Sequence, residues 1–253
     1  MSIFSLKNRR ALITGAGKGL GLSIAVGLAE AGAEIIINDV DPNLADRACR
    51  KLRATGFMAQ AAAFNVADAE AVRLAVRDIQ SSAGAIDILV NNAGIHRYGA
   101  LLELQVAQWQ EVLDVNLTGA FLTAQTVAAG MVARQSGKII NICSLMSEAG
   151  RPTTGNYTAA KGGLKMLTKA MTVEWARHNI QVNGIGPGYI LSDMTKHLAD
   201  RPDFDQWVKS RTPAGRWGQP SDLVGAAVFL SAPASDFVNG QIIYVDGGIL
   251  AAL

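Results

Sequence analysis

The chain has 253 residues, of which 49% are hydrophobic and 17% charged, with 26 glycines and two cysteines. It is too apolar for a disordered chain and too poor in cysteine for a disulfide scaffold, yet long enough to bury a core unaided. A net charge of +2 is far from the concentrated Lys/Arg field of a nucleic-acid binder, so no nucleic-acid partner is expected.

In chain order, a strand over 11–14 leads into a helix over 20–31, and a strand over 34–38 into a helix over 43–54. A strand over 58–64 precedes a helix over 69–82, and a strand over 86–90 follows. Later come a strand over 138–142, a helix over 157–178, and strands over 181–185 and 242–245. This alternation predicts an α/β fold, a parallel sheet with helices on both faces. The near-continuous apolar character of the first strands suits a sheet covered on both sides. Gly32, Gly56, Gly84 and Gly137 each follow a helical pattern and read as helix stops. The stretch 189–218 is less regular, with Pro202, Pro213, Phe204, Trp207 and Trp217, and reads as a substrate lid. No repeat or linker divides the chain, so one domain over 1–253 is expected.

The N-terminus superficially resembles a targeting segment, because Lys7, Arg9 and Arg10 precede a weakly polar stretch over 11–29. Lys18 and the five glycines between Gly15 and Gly27 weaken that reading. No other run approaches the roughly 18 apolar residues of a membrane span. A cytoplasmic protein without membrane contact is expected.

The segment from Ala11 to Gly21 runs from strand to helix through Gly15, Gly19, Leu20 and Gly21. Glycines there let the backbone approach a pyrophosphate, and the helix N-terminus presents free N–H groups and a positive dipole end to it. No Gly-Lys-Ser/Thr ending follows, which disfavours a P-loop nucleotidase. The second strand ends in Asp39, placed to accept hydrogen bonds from an adenosine ribose and to repel a 2′-phosphate. Lys18 pulls the other way. The balance favours NAD, with NADP possible.

Ser144 follows the strand over 138–142, at the carboxyl end where α/β sheets bind ligands. Tyr157 comes thirteen residues later and Lys161 four after that, which on a helix puts both on one face. Tyrosine is a poor base at neutral pH, and a neighbouring ammonium favours its phenolate. Tyr-x-x-x-Lys therefore makes sense as an acid/base unit.

With these residues the sequence resembles the short-chain dehydrogenase/reductase family over essentially its whole length. The matches are Thr14-Gly15-x-x-x-Gly19-x-Gly21, Asn91-Asn92-Ala93-Gly94, Asn116, Ser144, Tyr157-x-x-x-Lys161, Pro187-Gly188 and Val245-Asp246-Gly247-Gly248. The resemblance implies a Rossmann-like, doubly wound, seven-stranded parallel sheet and a homotetramer. It implies that Tyr157 exchanges the substrate proton and Ser144 hydrogen-bonds the reacting oxygen. Lys161 would hold the nicotinamide ribose and lower the tyrosine pKa, and Asn116 would anchor a relay water. Asn92, Ala93 and Gly94 would line the adenine-ribose side, and Pro187, Gly188, Ile190 and Ser192 would flank the nicotinamide. Asn65-Val66 stands where the family often has Asp-Val at the adenine, and Ser192 where threonine is usual.

Within the family the resemblance sharpens, through stretches 139–144, 165–169, 177–184, 211–218 and 235–240, toward members that interconvert D-gluconate and 5-keto-D-gluconate. A sugar acid calls for a cation at its carboxylate, and arginine offers a bidentate fork. Arg97 is the expected anchor, with Ser147 and Glu148 near the hydroxyls and Arg151 a second candidate. Ser144 and Tyr157 would also touch substrate. A reductase of another carbonyl, such as a 3-oxoacyl-carrier-protein or another polyol, and a nicotinamide sensor without turnover remain open. Cys143 and Cys49 read as packed residues, His96 as a surface-loop histidine, and His178 and His197 as solitary. No metal site is expected. The apolar tail over 249–253 is expected to pack against a neighbouring subunit.

Overall fold

A computed structural model describes residues 2–252; Leu253, the last residue of the tail, lies outside them. Seven parallel strands form one sheet in the order β3-β2-β1-β4-β5-β6-β7. They are β1 (Arg10–Ile13), β2 (Glu34–Asp39), β3 (Ala59–Ala63), β4 (Ile88–Asn91), β5 (Gly137–Ile142), β6 (Ile180–Pro187) and β7 (Ile242–Val245). The chain winds outward from β1 to β3, returns to β4 beside β1, and winds outward the other way. The reversal opens a crevice beyond the carboxyl ends of β1 and β4, where such sheets bind ligands.

Alternation along the central strands divides the core in two. Ala11, Ile13, Ile35, Ile37, Ile88, Val90, Ile140 and Ile142 face one side. There they meet α1 (Gly19–Glu30), α2 (Pro42–Ala54) and α9 (Val224–Ser231). Leu12, Ile36, Leu89 and Ile139 face the other. Their partners are α3 (Ala69–Ser82), α5 (Gly119–Arg134) and α6 (Gly155–Trp175). The period of two along a strand gives each face its own apolar layer. Helix starts are local: Asp41 caps α2 by accepting from the Asn43 N–H, and Asp68 caps α3 through Glu70 and Ala71.

Gly32, Gly56 and Gly84 adopt positive φ just after α1, α2 and α3. Gly137 does not. Gln135, at φ 53°, ends α5 instead, and Gly137 opens β5, where a Cβ would collide with the Met131 side chain. A packing glycine there mimics a stop signal. The helical run Val106–Arg134 joins α4 (Val106–Leu113) to α5 through a π turn at Asp114–Thr118. By length and composition it could cross a membrane, which the sequence reading did not anticipate; its Ala124, Val127, Ala128 and Met131 face the sheet core.

The excursion after β6 carries α7 (Lys196–Ala199) and α8 (Pro202–Arg211). Its ends meet: Leu191 N–H donates to the Gly218 carbonyl and Gly218 N–H to the Tyr189 carbonyl, each at 2.9 Å. Inside it Tyr189 meets Phe204, Trp207 and Trp217 edge-on. Ile249 and Leu250 pack onto this cluster within the same chain and stay partly exposed. An apolar tail after the last strand finds a ready apolar surface here.

Helices α1 and α9 approach so closely that a Cβ on Gly27 would strike the Val224 side chain. Gly27→Leu is expected to cost about 1–3 kcal/mol in urea unfolding. Gly27→Ala should be relieved by Val224→Ala. An unchanged midpoint in Gly27→Leu would show that the helix contact is soft.

Candidate active site

The crevice is a cleft of about 600 Å³. Its floor is the turn after β1. Gly15 and Gly19 both adopt φ 60°, and a Cβ on Gly15 would sit 2.8 Å from the Ala93 Cα. A Cβ on Gly21 would lie 2.8 Å from the Gly15 carbonyl oxygen. Lys18 occupies the N-cap of α1 without a side-chain cap, so the first N–H groups of the helix are offered to the cleft. This cradle fits a pyrophosphate.

Buried polar bonds hold its walls. Thr14 Oγ1 accepts from the N–H groups of Asn92 and Ala93, and the Asn92 amide donates to the Thr14 and Gly15 carbonyls. Asn38, which the sequence reading passed over, accepts from Gly15 N–H and donates to the Ala62 and Phe64 carbonyls. The Asp39 carboxylate is fixed by the N–H groups of Gly17 and Asp41, each at 3.1 Å, and faces the cleft. Asn65, Val66 and Gly94 line the same wall, and Leu20 the floor. Lys18 reaches across to Asp193 at 2.8 Å, so its charge is partly spent.

At the far end lie Pro187, Gly188, Ile190 and Ser192, with Asp193, Met194 and Thr195 as lining residues absent from the sequence reading. Thr195 donates to the Ile190 carbonyl and pairs with Ser192, holding this turn against β6. Such a turn leaves only small polar residues in the sequence, which carry no pattern.

Ser144, Tyr157 and Lys161 converge here. Ser144 leaves the end of β5 and caps a short 3-10 turn by accepting from Met146 N–H. Lys161 is buried, and its Nζ donates to the Ile142 carbonyl at 2.6 Å, tying α6 to β5. Burial pushes the Tyr157 phenol up to about 12, opposed by a hydrogen bond with Ser144. Burial also pulls the Lys161 ammonium down to about 8. Lys161 is not among the groups that lower the phenol here. Lys161 Nζ stands 5.7 Å from the ring centroid and spends its hydrogen bond on the main chain. Asn116 sits in the π turn, outside the cleft lining. Its amide accepts from Ile95 N–H and donates to the Ile95 carbonyl, so its side chain positions the segment after β4.

The expected substrate contacts are each paired within the chain. The Arg97 guanidinium forms a bidentate pair with Glu111, at 2.9 and 2.7 Å, and is not free for a substrate carboxylate. Glu148 is held by Lys165 and by the Tyr244 hydroxyl, and Ser147 Oγ donates to the Lys161 carbonyl. Glu111 lines the cleft, so the Arg97 pair stands at its edge, whereas Ser147 and Glu148 are absent from the lining. The histidine reading also changes. His96 is not a surface-loop residue, because its imidazole stacks on Tyr98 at 3.7 Å and on Tyr157 at 4.8 Å. His197 meets Tyr98 edge-on at 5.2 Å. Cys143 and Cys49 are buried and free, the Cys143 thiol pushed up to about 11 by burial.

A dinucleotide cleft ending in a tyrosine, serine and lysine defines an oxidoreductase that works with a nicotinamide cofactor. The chain belongs to the short-chain dehydrogenase/reductase family. Residues 15–250 match the family pattern described as enoyl-(acyl carrier protein) reductase. The chain is 51% identical over 251 residues to 5-keto-D-gluconate 5-reductase of Escherichia coli strain K12, covering 99% of each. It is 49% identical over 255 residues to 2-dehydro-3-deoxy-D-gluconate 5-dehydrogenase of Formosa agariphila, covering all of this chain and 97% of that one. Among solved structures, a gluconate 5-dehydrogenase from Burkholderia cenocepacia J2315 in complex with NADP and tartrate superposes with a TM-score of 0.97. It is 52% identical, with 99% of this chain and 98% of that one covered.

Tyr157→Phe should keep cofactor binding within a few-fold and lose on the order of 10²–10⁴ in turnover. With the phenol at about 12, the phenolate fraction grows with pH below that value. Alcohol oxidation should therefore quicken as pH rises through neutrality, while the reverse reduction, which needs the protonated phenol, should stay flat until pH approaches that value. A pH-independent kcat/KM in both directions, followed by nicotinamide absorbance, would remove Tyr157 as the titrating group.

Proposed function

We propose that this enzyme interconverts D-gluconate and 5-keto-D-gluconate. The observation that carries the reading is the meeting of Ser144 and Tyr157 at one end of the dinucleotide cleft. Chemistry at a single secondary hydroxyl needs this arrangement, and binding alone does not. The relatives support the substrate: the names of all three place their reaction at position 5 of a gluconate skeleton.

The turn after β1, the N-terminus of α1 and Asp39 would hold the adenosine and pyrophosphate of the cofactor. When bound, the nicotinamide takes or gives the hydride. The residues do the rest. Ser144 fixes the reacting oxygen by hydrogen bonding, and Tyr157 takes the hydroxyl proton in oxidation or returns it in reduction. Lys161 keeps α6 in register with β5.

NAD is the proposed preference. Two like charges about 4 Å apart near a protein surface repel by roughly 4 kcal/mol. Asp39, fixed by two backbone N–H groups, cannot easily swing away from a 2′-phosphate. The NADP in the Burkholderia relative favours the second reading, NADP use with Lys18 released from Asp193.

A homotetramer is also proposed, supported by apolar side chains left exposed on α5 and α6: Phe121, Met166 and Val173. The two free cysteines support a reducing, cytoplasmic setting.

The test is a panel of D-gluconate, 5-keto-D-gluconate, other sugar acids and acetoacetyl thioesters with each cofactor. D-Gluconate or its 5-keto form with NAD should give the highest kcat/KM. Thioester reduction as the dominant activity would replace the sugar-acid reading. Asp39→Ala should raise kcat/KM for NADP relative to NAD by at least tenfold. An unmoved ratio would exclude Asp39 as the discriminator. Light scattering at micromolar concentration should give four times the chain mass; a monomer would overturn the tetramer.

A further inference from the structure

Six buried side-chain polar atoms lack a hydrogen-bond partner among the described residues. Four of them belong to three neighbouring side chains: both ring nitrogens of His96, Nε of Arg151 and the hydroxyl of Tyr189. Buried polar groups without partners are rare and costly, and a cluster of them calls for an explanation.

They gather round two aromatic rings. The Arg151 guanidinium carbon stands 5.8 Å from the Tyr98 ring centroid and 5.1 Å from that of Phe204. Tyr98 accepts a hydrogen bond from Arg151 and stacks on His96, which in turn stacks on Tyr157. Phe204, on α8, meets Tyr189 edge-on at 5.7 Å. One continuous run of side chains thus leads from the reacting phenol to a cation beneath the excursion.

The charge there is uncompensated. Arg97 has Glu111, Arg216 has Asp222, Lys18 has Asp193 and Lys165 has Glu148. Arg151 has no ion-pair partner among the described residues, yet His96, Tyr98 and Tyr189 all feel its field, and no carboxylate perturbs any of the three. A half-buried guanidinium without an acid is suited to an anion brought by a ligand.

We infer that Arg151 takes the substrate carboxylate, and that His96 hydrogen-bonds a hydroxyl between that carboxylate and the reacting carbon. Burial and the nearby Arg151 hold the imidazole down at about 4, so at neutral pH it is uncharged, with one nitrogen to donate and one to accept. That pair matches a hydroxyl. Arg151 lies on the segment after Ser144, and Phe204 and His197 come from the excursion over 189–218. The excursion thus closes over the charged end of the substrate while Ser144 and Tyr157 hold the reacting end.

This assignment rests on the sugar-acid reading and is tested on the enzyme with its cofactor. D-Gluconate is compared with neutral D-gluconamide, which keeps every hydroxyl and loses the charge. The unmodified enzyme should favour gluconate by roughly tenfold to a hundredfold, the range set by a charged hydrogen bond. Arg151→Met should bring that ratio close to one, chiefly through a higher KM for gluconate, with cofactor affinity unchanged. Arg151→Lys should recover part of the preference. An unchanged ratio in an active Arg151→Met enzyme, or equal loss on both compounds, overturns the assignment. Absence of gluconate turnover in the unmodified enzyme defeats the sugar-acid reading instead.

Discussion

The chemistry of this protein depends on how α6 is held against the sheet. That helix carries both Tyr157 and Lys161, while Ser144 comes from β5, so catalytic distances are set by the α6–β5 contact. Apolar packing alone lets a helix slide. Here a buried polar chain prevents it: the Asn91 amide donates to Asn141 Oδ1, the Asn141 amide to Thr168 Oγ1, and Thr168 to the Leu164 carbonyl. Each bond is worth about 1 kcal/mol when made and more when broken, because its partner is stranded in the core. Lys161 adds a charge-assisted bond to Ile142. The same side chain therefore registers the helix and places a cation beside the phenol.

The phosphate end of the cleft is built on the same principle. Parallel strands end with main-chain groups that no further neighbour satisfies, and Thr14, Asn38 and Asn92 satisfy them with short side chains. This stitching holds the turn after β1 open with its own N–H groups turned to the cleft. Glycine is needed where strands and turn crowd: an added Cβ at Gly17 would lie 2.7 Å from an Asp39 oxygen, displacing a carboxylate that faces the cleft.

Much of this was legible in the sequence, for physical reasons. Strands buried on both faces must be nearly all apolar, so their positions showed as runs. The glycines of the phosphate turn and the Tyr157–Lys161 spacing carry local geometry in local sequence. What stayed hidden depends on long-range partners. Nothing near Arg97 in the chain announces Glu111, fourteen residues on and across a turn. Gly137 imitates a helix stop because a glycine chosen for close packing and one chosen for positive φ are the same letter. His96 sits beside Arg97 in an irregular segment, where sequence cannot tell an exposed imidazole from one sandwiched between two tyrosines. Asn38 was overlooked because an asparagine at a strand end reads as a turn residue; its worth appears only with the β3 carbonyls it bridges.

The two ends of the site ask opposite things of their surroundings. Proton transfer at Tyr157 wants a rigid, dry frame, and the polar chain through Asn141 supplies it. Substrate entry wants a part that can move; the excursion over 189–218 closes on itself at its base through two main-chain bonds between residues 189–191 and 218, and Ala214 N–H donates to the Gly247 carbonyl after β7. Its interior is an aromatic cluster, stable as a unit but not woven into the sheet core. Unsatisfied polar atoms beneath it cost stability, a recurring trade where a site must be ready for a ligand. A ligand that satisfied them would recover that cost on binding, so this end of the site is suited to a polar substrate.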